Sequence, residues 1–135
     1  MAKTIALTQQ EGLRFSAKYG NNEVVVDSKK ENGGTGLGLS PGELLCASLG
    51  ACTAMRVVRY YKTIGIALEG VRAEATYEED QENSRGEKFE VRIFLPVEFH
   101  KRKGAVRRVA EACYVKNTLQ NPPEIEIRIE RLPLD

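Results

Sequence analysis

The feature that most constrains this fold is Ser40-Pro41-Gly42-Glu43, followed by an almost uninterrupted apolar run to Met55. A serine that can cap, a proline suited to the first helical position and a glutamate three residues after the cap make a capping box, so a helix starts here. Leu44, Leu45, Cys46, Leu49, Ala51, Cys52 and Ala54 leave it apolar nearly all round, and it turns polar only at Arg56, Arg59 and Lys62, before Gly65. Such a helix is expected to be buried for most of its length.

Three short runs before it, residues 4–8, 13–18 and 23–27, read as strands separated by Glu11-Gly12 and Gly20-Asn21-Asn22, the turn formers that hairpins require. Residues 31–39 then place four glycines in six positions, Gly33, Gly34, Gly36 and Gly38, which rules out a regular element and permits close backbone approach. The segment lacks the Gly-Lys-Ser/Thr ending of a phosphate loop.

After Gly65, residues 67–77 and 88–97 read as a hairpin, the second strand alternating Phe89, Val91, Ile93 and Leu95 against Glu90, Arg92 and Phe94. A second helix is predicted from Lys101, with Val106, Val109, Ala110, Cys113 and Leu119 toward the core and Lys103, Arg107, Arg108, Glu111 and Lys116 toward solvent. Pro122-Pro123 stops it. Ile125, Ile127 and Ile129 alternate with charges as a closing strand. The predicted order is βββ-α-ββ-α-β, an α+β class in one domain over residues 1–135.

Twenty basic and 19 acidic residues nearly cancel, so composition gives no pull toward nucleic acid or anionic membrane. The charge-free run from Leu44 to Met55 is shorter than the roughly 20 residues of a membrane span, and no signal peptide is visible at Met1. A cytoplasmic protein is expected. Three cysteines, one histidine and no C-x-x-C pair match neither a disulfide framework nor a zinc site, so no metal and no cofactor is expected.

Cys52 lies twelve residues beyond the helix cap, too far for the helix's own N-terminal field to acidify it. Arg56, four residues on and about 40° round the helix, is placed to stabilise a thiolate, with Arg59 as a second candidate. The competing reading is that Cys52 is a small core hydrophobe and the arginines serve the end of the helix. Cys113 taken alone has the same two readings. Cys46 is about 120° away from Cys52 round the helix and reads as packing. Glu43, nine residues before Cys52 and about 13 Å away along the axis, suits the capping box better than general-base work. His100 has no orienting partner in the sequence.

Ser40-Pro41-Gly42-Glu43-Leu44-Leu45 with Leu49-Gly50-Ala51-Cys52-Thr53 resembles the central-helix signature of the OsmC/Ohr superfamily. Cys113-Tyr114-Val115-Lys116-Asn117-Thr118-Leu119 resembles its second signature. The resemblance implies an OsmC-like fold, an intertwined homodimer whose two long helices pack at the centre on antiparallel sheet. It also implies thiol-dependent reduction of organic hydroperoxides. Cys52 would then be the peroxidatic cysteine, left as a sulfenic acid, and Cys113 the resolving cysteine, whose disulfide an external thiol or dithiol reopens. Peroxidatic members carry a glutamate directly after the signature proline, which holds a catalytic arginine over the cysteine. That place is Gly42 here, Glu43 matches only the next position, and Arg14 is the one arginine in the N-terminal region. The alternative the departure supports is a non-catalytic OsmC-like module that binds a small ligand or senses redox stress.

Overall fold

The computed structural model describes residues 2–133. Three antiparallel strands come first, β1 (Ala6–Glu11), β2 (Arg14–Tyr19) and β3 (Asn22–Val26), in the spatial order β1-β2-β3. They are the predicted strands, displaced by no more than three residues. Gly12 and Gly20 carry the hairpin turns at φ of 56° and 59°, where a Cβ is disfavoured.

The glycine-rich segment that follows is organised by one buried carboxylate. Asp27, 2% exposed, accepts from the backbone N–H of Ser28 at 2.7 Å, of Thr35 at 3.1 Å and of Leu37 at 3.4 Å, and from the Thr35 hydroxyl. The Asp27 N–H in turn donates to the Leu39 carbonyl at 3.0 Å, beside a parallel bridge between Val26 and Leu39. A Cβ on Gly34 would fall inside the Ser28 carbonyl, and one on Gly38 inside that of Val25, so glycine is what lets the loop fold back on β3. The loop thereby delivers Ser40 to the start of the long helix at a defined place.

That helix, α1 (Pro41–Thr63), is 23 residues and roughly 35 Å long. Its capping box is formed: the Glu43 N–H donates to Ser40 Oγ at 3.2 Å and the Ser40 N–H to Glu43 Oε1 at 2.9 Å. Cys46, Leu49, Gly50, Thr53, Val57 and Tyr61 form one buried stripe, and each large aliphatic such as Val57 contributes about 2 kcal/mol by leaving water. A Cβ on Gly50 would stand 3.0 Å from that of Ala75, so the helix and its sheet approach as closely as glycine permits. The opposite stripe remains open, with Leu45 40% and Met55 61% exposed. The expected burial therefore holds for one face only, because the elements of a single chain do not reach round the whole apolar perimeter.

β4 (Arg72–Asp80) and β5 (Arg85–Phe94) form the predicted hairpin and pack on α1. Phe89, Val91 and Ile93 are half-buried while Glu90, Arg92 and Phe94 are exposed, in the expected alternation. Residues 67–71 stay outside the ladder, so the first strand is shorter than its apolar pattern suggests.

Two expectations fail in the C-terminal third. The second helix is not continuous: a 3₁₀ turn (His100–Arg102) leads into α2 (Lys103–Glu111), the chain breaks at Ala112 and Cys113, and α3 (Tyr114–Gln120) follows. The core-facing set is displaced accordingly, since Cys113 is buried but Leu119 is 39% exposed. The closing strand does not form within the chain. Ile125, Ile127 and Ile129 are 76%, 83% and 95% exposed, without a ladder partner among the described residues. Alternation gives a segment a strand's faces but not its partner, and the tail is paired with neither sheet of this chain.

Candidate active site

Cys52 sits half-buried at the middle of α1, and Cys113 is fully buried at the break between α2 and α3. The two thiols are near neighbours, and Cys52 is one of the groups that act on the Cys113 thiol. The pair is formed because the break turns Cys113 out of the helix, at φ −84° and ψ 129°, as the residue preceding α3. In one unbroken helix its side chain would continue the helical spiral instead.

Burial pushes the Cys113 thiol up, yet the backbone amide of Lys116, the Cys52 thiol, the Thr53 hydroxyl and the amide of Val115 together outweigh burial and hold it below the ordinary thiol range. Thr53 is a residue the sequence reading passed over. Buried on α1 beside Cys52, it donates to the Leu49 carbonyl at 2.8 Å, and the same hydroxyl faces the Cys113 sulfur. Its only signal was its place next to Cys52, on the face shared with Leu49.

A cleft of about 1090 Å³ reaches Thr53, the neighbour of Cys52 on α1, and neither cysteine lines it. Leu45, Leu49, Phe89, Val91, Ala110 and Leu119 give it apolar lining, Thr53 belongs to its wall, and Arg107, Lys116, Glu87 and Glu111 bring charge of both signs. Apolar walls with a few polar groups are the usual character of a small-molecule site.

The other sequence candidates have different placements. Arg56 Nε donates to the backbone carbonyl of Val109 at 3.0 Å. Arg14 binds Gln10 Oε1 and Thr35 Oγ1, each at 3.0 Å, with Glu11 at 3.6 Å, so its partners belong to the first sheet and the Asp27 loop. Glu43 serves the cap and faces Lys29 Nζ at 3.7 Å. Donation from the Ser40 backbone lowers its carboxyl despite desolvation, with the Ser40 hydroxyl and the Lys29 charge assisting. Cys46 is 4% exposed and burial pushes its thiol up, in keeping with packing. His100 lies on the surface against Phe99 and Glu98. Among the described residues no three His, Cys, Asp or Glu side chains converge as metal ligands, and no helix is long and apolar enough to cross a membrane.

Comparison with known proteins decides the lineage. The family described as OsmC-like protein matches residues 33–128, from the glycine-rich loop to the C-terminal tail. The chain belongs to the OsmC-like family. The fold is similar to that of a protein from Psychrobacter arcticus 273-4 described as an osmotic stress induced and detoxification response protein, at 27% identity and TM-score 0.81 over 87% of this chain and 88% of that one. An OsmC-like protein from Mycoplasma pneumoniae aligns at 17% identity and TM-score 0.71 over 90% and 89%. An organic hydroperoxide resistance protein OsmC from Legionella pneumophila aligns at 18% and 0.61 over 90% and 92%. No curated protein matches this sequence significantly.

Within this OsmC-like protein the departure at Gly42 has a structural counterpart. A Cβ there would stand 3.0 Å from the Tyr77 hydroxyl, so the phenol occupies the space that a longer side chain would need. Burial pushes the Tyr77 phenol up, and the Glu79 and Glu43 carboxylates add to the effect against a hydrogen bond from Ser40. Family membership and the paired thiols are together consistent with thiol-based redox chemistry.

Proposed function

We propose that this protein is a thiol-dependent peroxidase that reduces organic hydroperoxides through Cys52 and Cys113. The observation that carries the reading is the pair of neighbouring thiols from separate segments, with Thr53 standing between them and a cleft partly lined by apolar side chains. Cys52 is the more exposed sulfur and meets the substrate first. Its thiolate attacks one peroxide oxygen, the S–O bond forms as the O–O bond breaks, and the alkoxide leaves as the alcohol after taking a proton. The Cys113 thiolate then attacks the Cys52 sulfenic sulfur, the S–S bond forms, and hydroxide leaves as water. An external thiol or dithiol reopens the disulfide, as the cytoplasm supplies, and no metal or cofactor enters. The apolar cleft suits the organic part of the substrate, with its oxygens toward Thr53 and the sulfurs.

The working unit is a homodimer on this reading. A folded monomer of this mass exposes about 7,000 Å², whereas this chain exposes 11126 Å². An excess of that size matches an obligate interface, and the open stripe of α1 and the isoleucines of the tail are the apolar surface it would cover.

The reading is tested by consumption of cumene hydroperoxide with a dithiol reductant, comparing the wild type with Cys52→Ser. Rapid turnover confined to the wild type is expected, and equal low rates in both would refute it. Gly42 in the place of the family glutamate, with the Tyr77 hydroxyl in the space beside it, favours a second reading, a non-catalytic module that binds a small apolar ligand or senses stress. Thiols that stay reduced under hydroperoxide, with ligand bound in the cleft, would select it.

A further inference from the structure

The break between α2 and α3 brings Cys113 to Cys52, and local sequence does not account for it. Glu111-Ala112-Cys113-Tyr114 contains neither glycine nor proline, and alanine is the best of helix formers. In a continuous helix the Val109 carbonyl would accept from the Cys113 N–H, four residues on. Instead, the last N–H of α2 is that of Ala112, which donates to the Arg108 carbonyl at 3.1 Å, and Cys113 turns away in an extended conformation. The Val109 carbonyl accepts from Arg56 Nε at 3.0 Å. One side chain of α1 thus satisfies the first of the carbonyls that the break orphans, and it does so one helical turn beyond Cys52 on the same helix.

We infer that Arg56 is a positioning residue for disulfide closure, in which its bond to the Val109 carbonyl holds the helix break open and seats the Cys113 sulfur on Cys52. The inference rests on the redox pairing of Cys52 and Cys113 proposed above. The step it governs is the second one, attack of Cys113 on the sulfenic sulfur of Cys52 with S–S formation, S–O cleavage and loss of water. The oxidant is the organic hydroperoxide of the first step. Arg56 touches neither sulfur in this role, so the guanidinium acts through the backbone.

The experiment compares the full chain carrying Arg56→Met, which keeps an apolar stem without a donor, and Arg56→Lys, which restores one. After a single pulse of cumene hydroperoxide in the presence of a sulfenic-acid trap, mass spectrometry gives the ratio of trapped Cys52 to Cys52–Cys113 disulfide. Arg56→Met is expected to raise that ratio about tenfold, the factor equivalent to about 1.4 kcal/mol, and Arg56→Lys to return it most of the way. Arg56→Gln, an amide donor on a shorter stem, supplies the graded variant where the Met protein does not fold. The same proteins are equilibrated against a glutathione redox buffer, which reads sulfur placement without hydroperoxide. A wild type that closes the disulfide in the buffer but ignores hydroperoxide refutes the peroxidase reading alone, and Arg56 is then judged by a less stable disulfide in the Met variant. Wild-type closure and wild-type disulfide stability in a folded Arg56→Met protein would overturn the inference.

Discussion

Replacing Ile127 by threonine tests whether the C-terminal tail is the strand of a dimer. Ile127 is 83% exposed within the chain, so nearly all of its burial free energy, about 1.5–3 kcal/mol, remains to be gained from a partner. Threonine keeps the β-branched shape that strands favour and loses most of that apolar gain, about 1.5 kcal/mol per copy. Two copies per dimer make about 3 kcal/mol, a weakening of the dimer on the order of 100-fold. Sedimentation velocity over a dilution series reads the dissociation constant directly, and the wild-type melting temperature should rise with protein concentration as linkage requires. Glu126→Gln is the control: its side chain meets Arg128 at 2.8 Å on the alternate, exposed face, where ion pairs contribute little. An Ile127→Thr protein that sediments and melts like the wild type at every concentration would refute the reasoning.

Other outcomes follow from the site and the loop. Thr53→Val removes one of the groups that hold the Cys113 thiol low, so its thiolate absorbance should titrate at higher pH. The stabilisation from that ionised thiol is complete above the ordinary thiol range of about 8.5 and is lost as pH falls through the lower folded value, and an unchanged titration would refute the contact. Asp27 is also held low, chiefly by the Thr35 hydroxyl, against desolvation. Its contribution is thus present above about pH 3.9 and lost as pH falls through the folded value. Asp27→Asn should melt lower at neutral pH and converge on the wild type in acid, and melting curves that stay parallel would count against the loop's dependence on this carboxylate. Gly42→Glu forces the Tyr77 hydroxyl from its place, with a loss of about 1–3 kcal/mol by chemical denaturation. Adding Tyr77→Ala should recover part of it, and failure to do so would show that the phenol is not the obstacle.

The start of α1 was legible because its cap is local. Serine, proline and glutamate at successive offsets meet only one another and the first turn, so their spacing alone dictates Ser40 as the N-cap. The β4–β5 hairpin was legible for a similar reason, since Phe89, Val91 and Ile93 report one half-buried face through their period of two. The break at Ala112 and Cys113 was not legible. The contact found there joins Arg56 to the Val109 carbonyl, 53 residues later in the chain, and no window of sequence contains both. Asp27 escaped notice likewise, because a carboxylate at the end of a strand reads as a turn residue until the loop amides are seen to close on it.

By itself the sequence determined the α+β class, the three-strand start, the place of the long helix and, through two signatures, the family and its pair of cysteines. Tertiary structure alone decided that Cys113 leaves its helix to meet Cys52, that Arg56 donates to the Val109 carbonyl on α2, and that Tyr77 fills the room beside Gly42. Caps and periodic faces are written in neighbouring residues, whereas these contacts exist only where distant segments pack together. The isoleucines of the tail mark the same boundary: their alternation declares a strand, and no strand of the same described chain pairs with it.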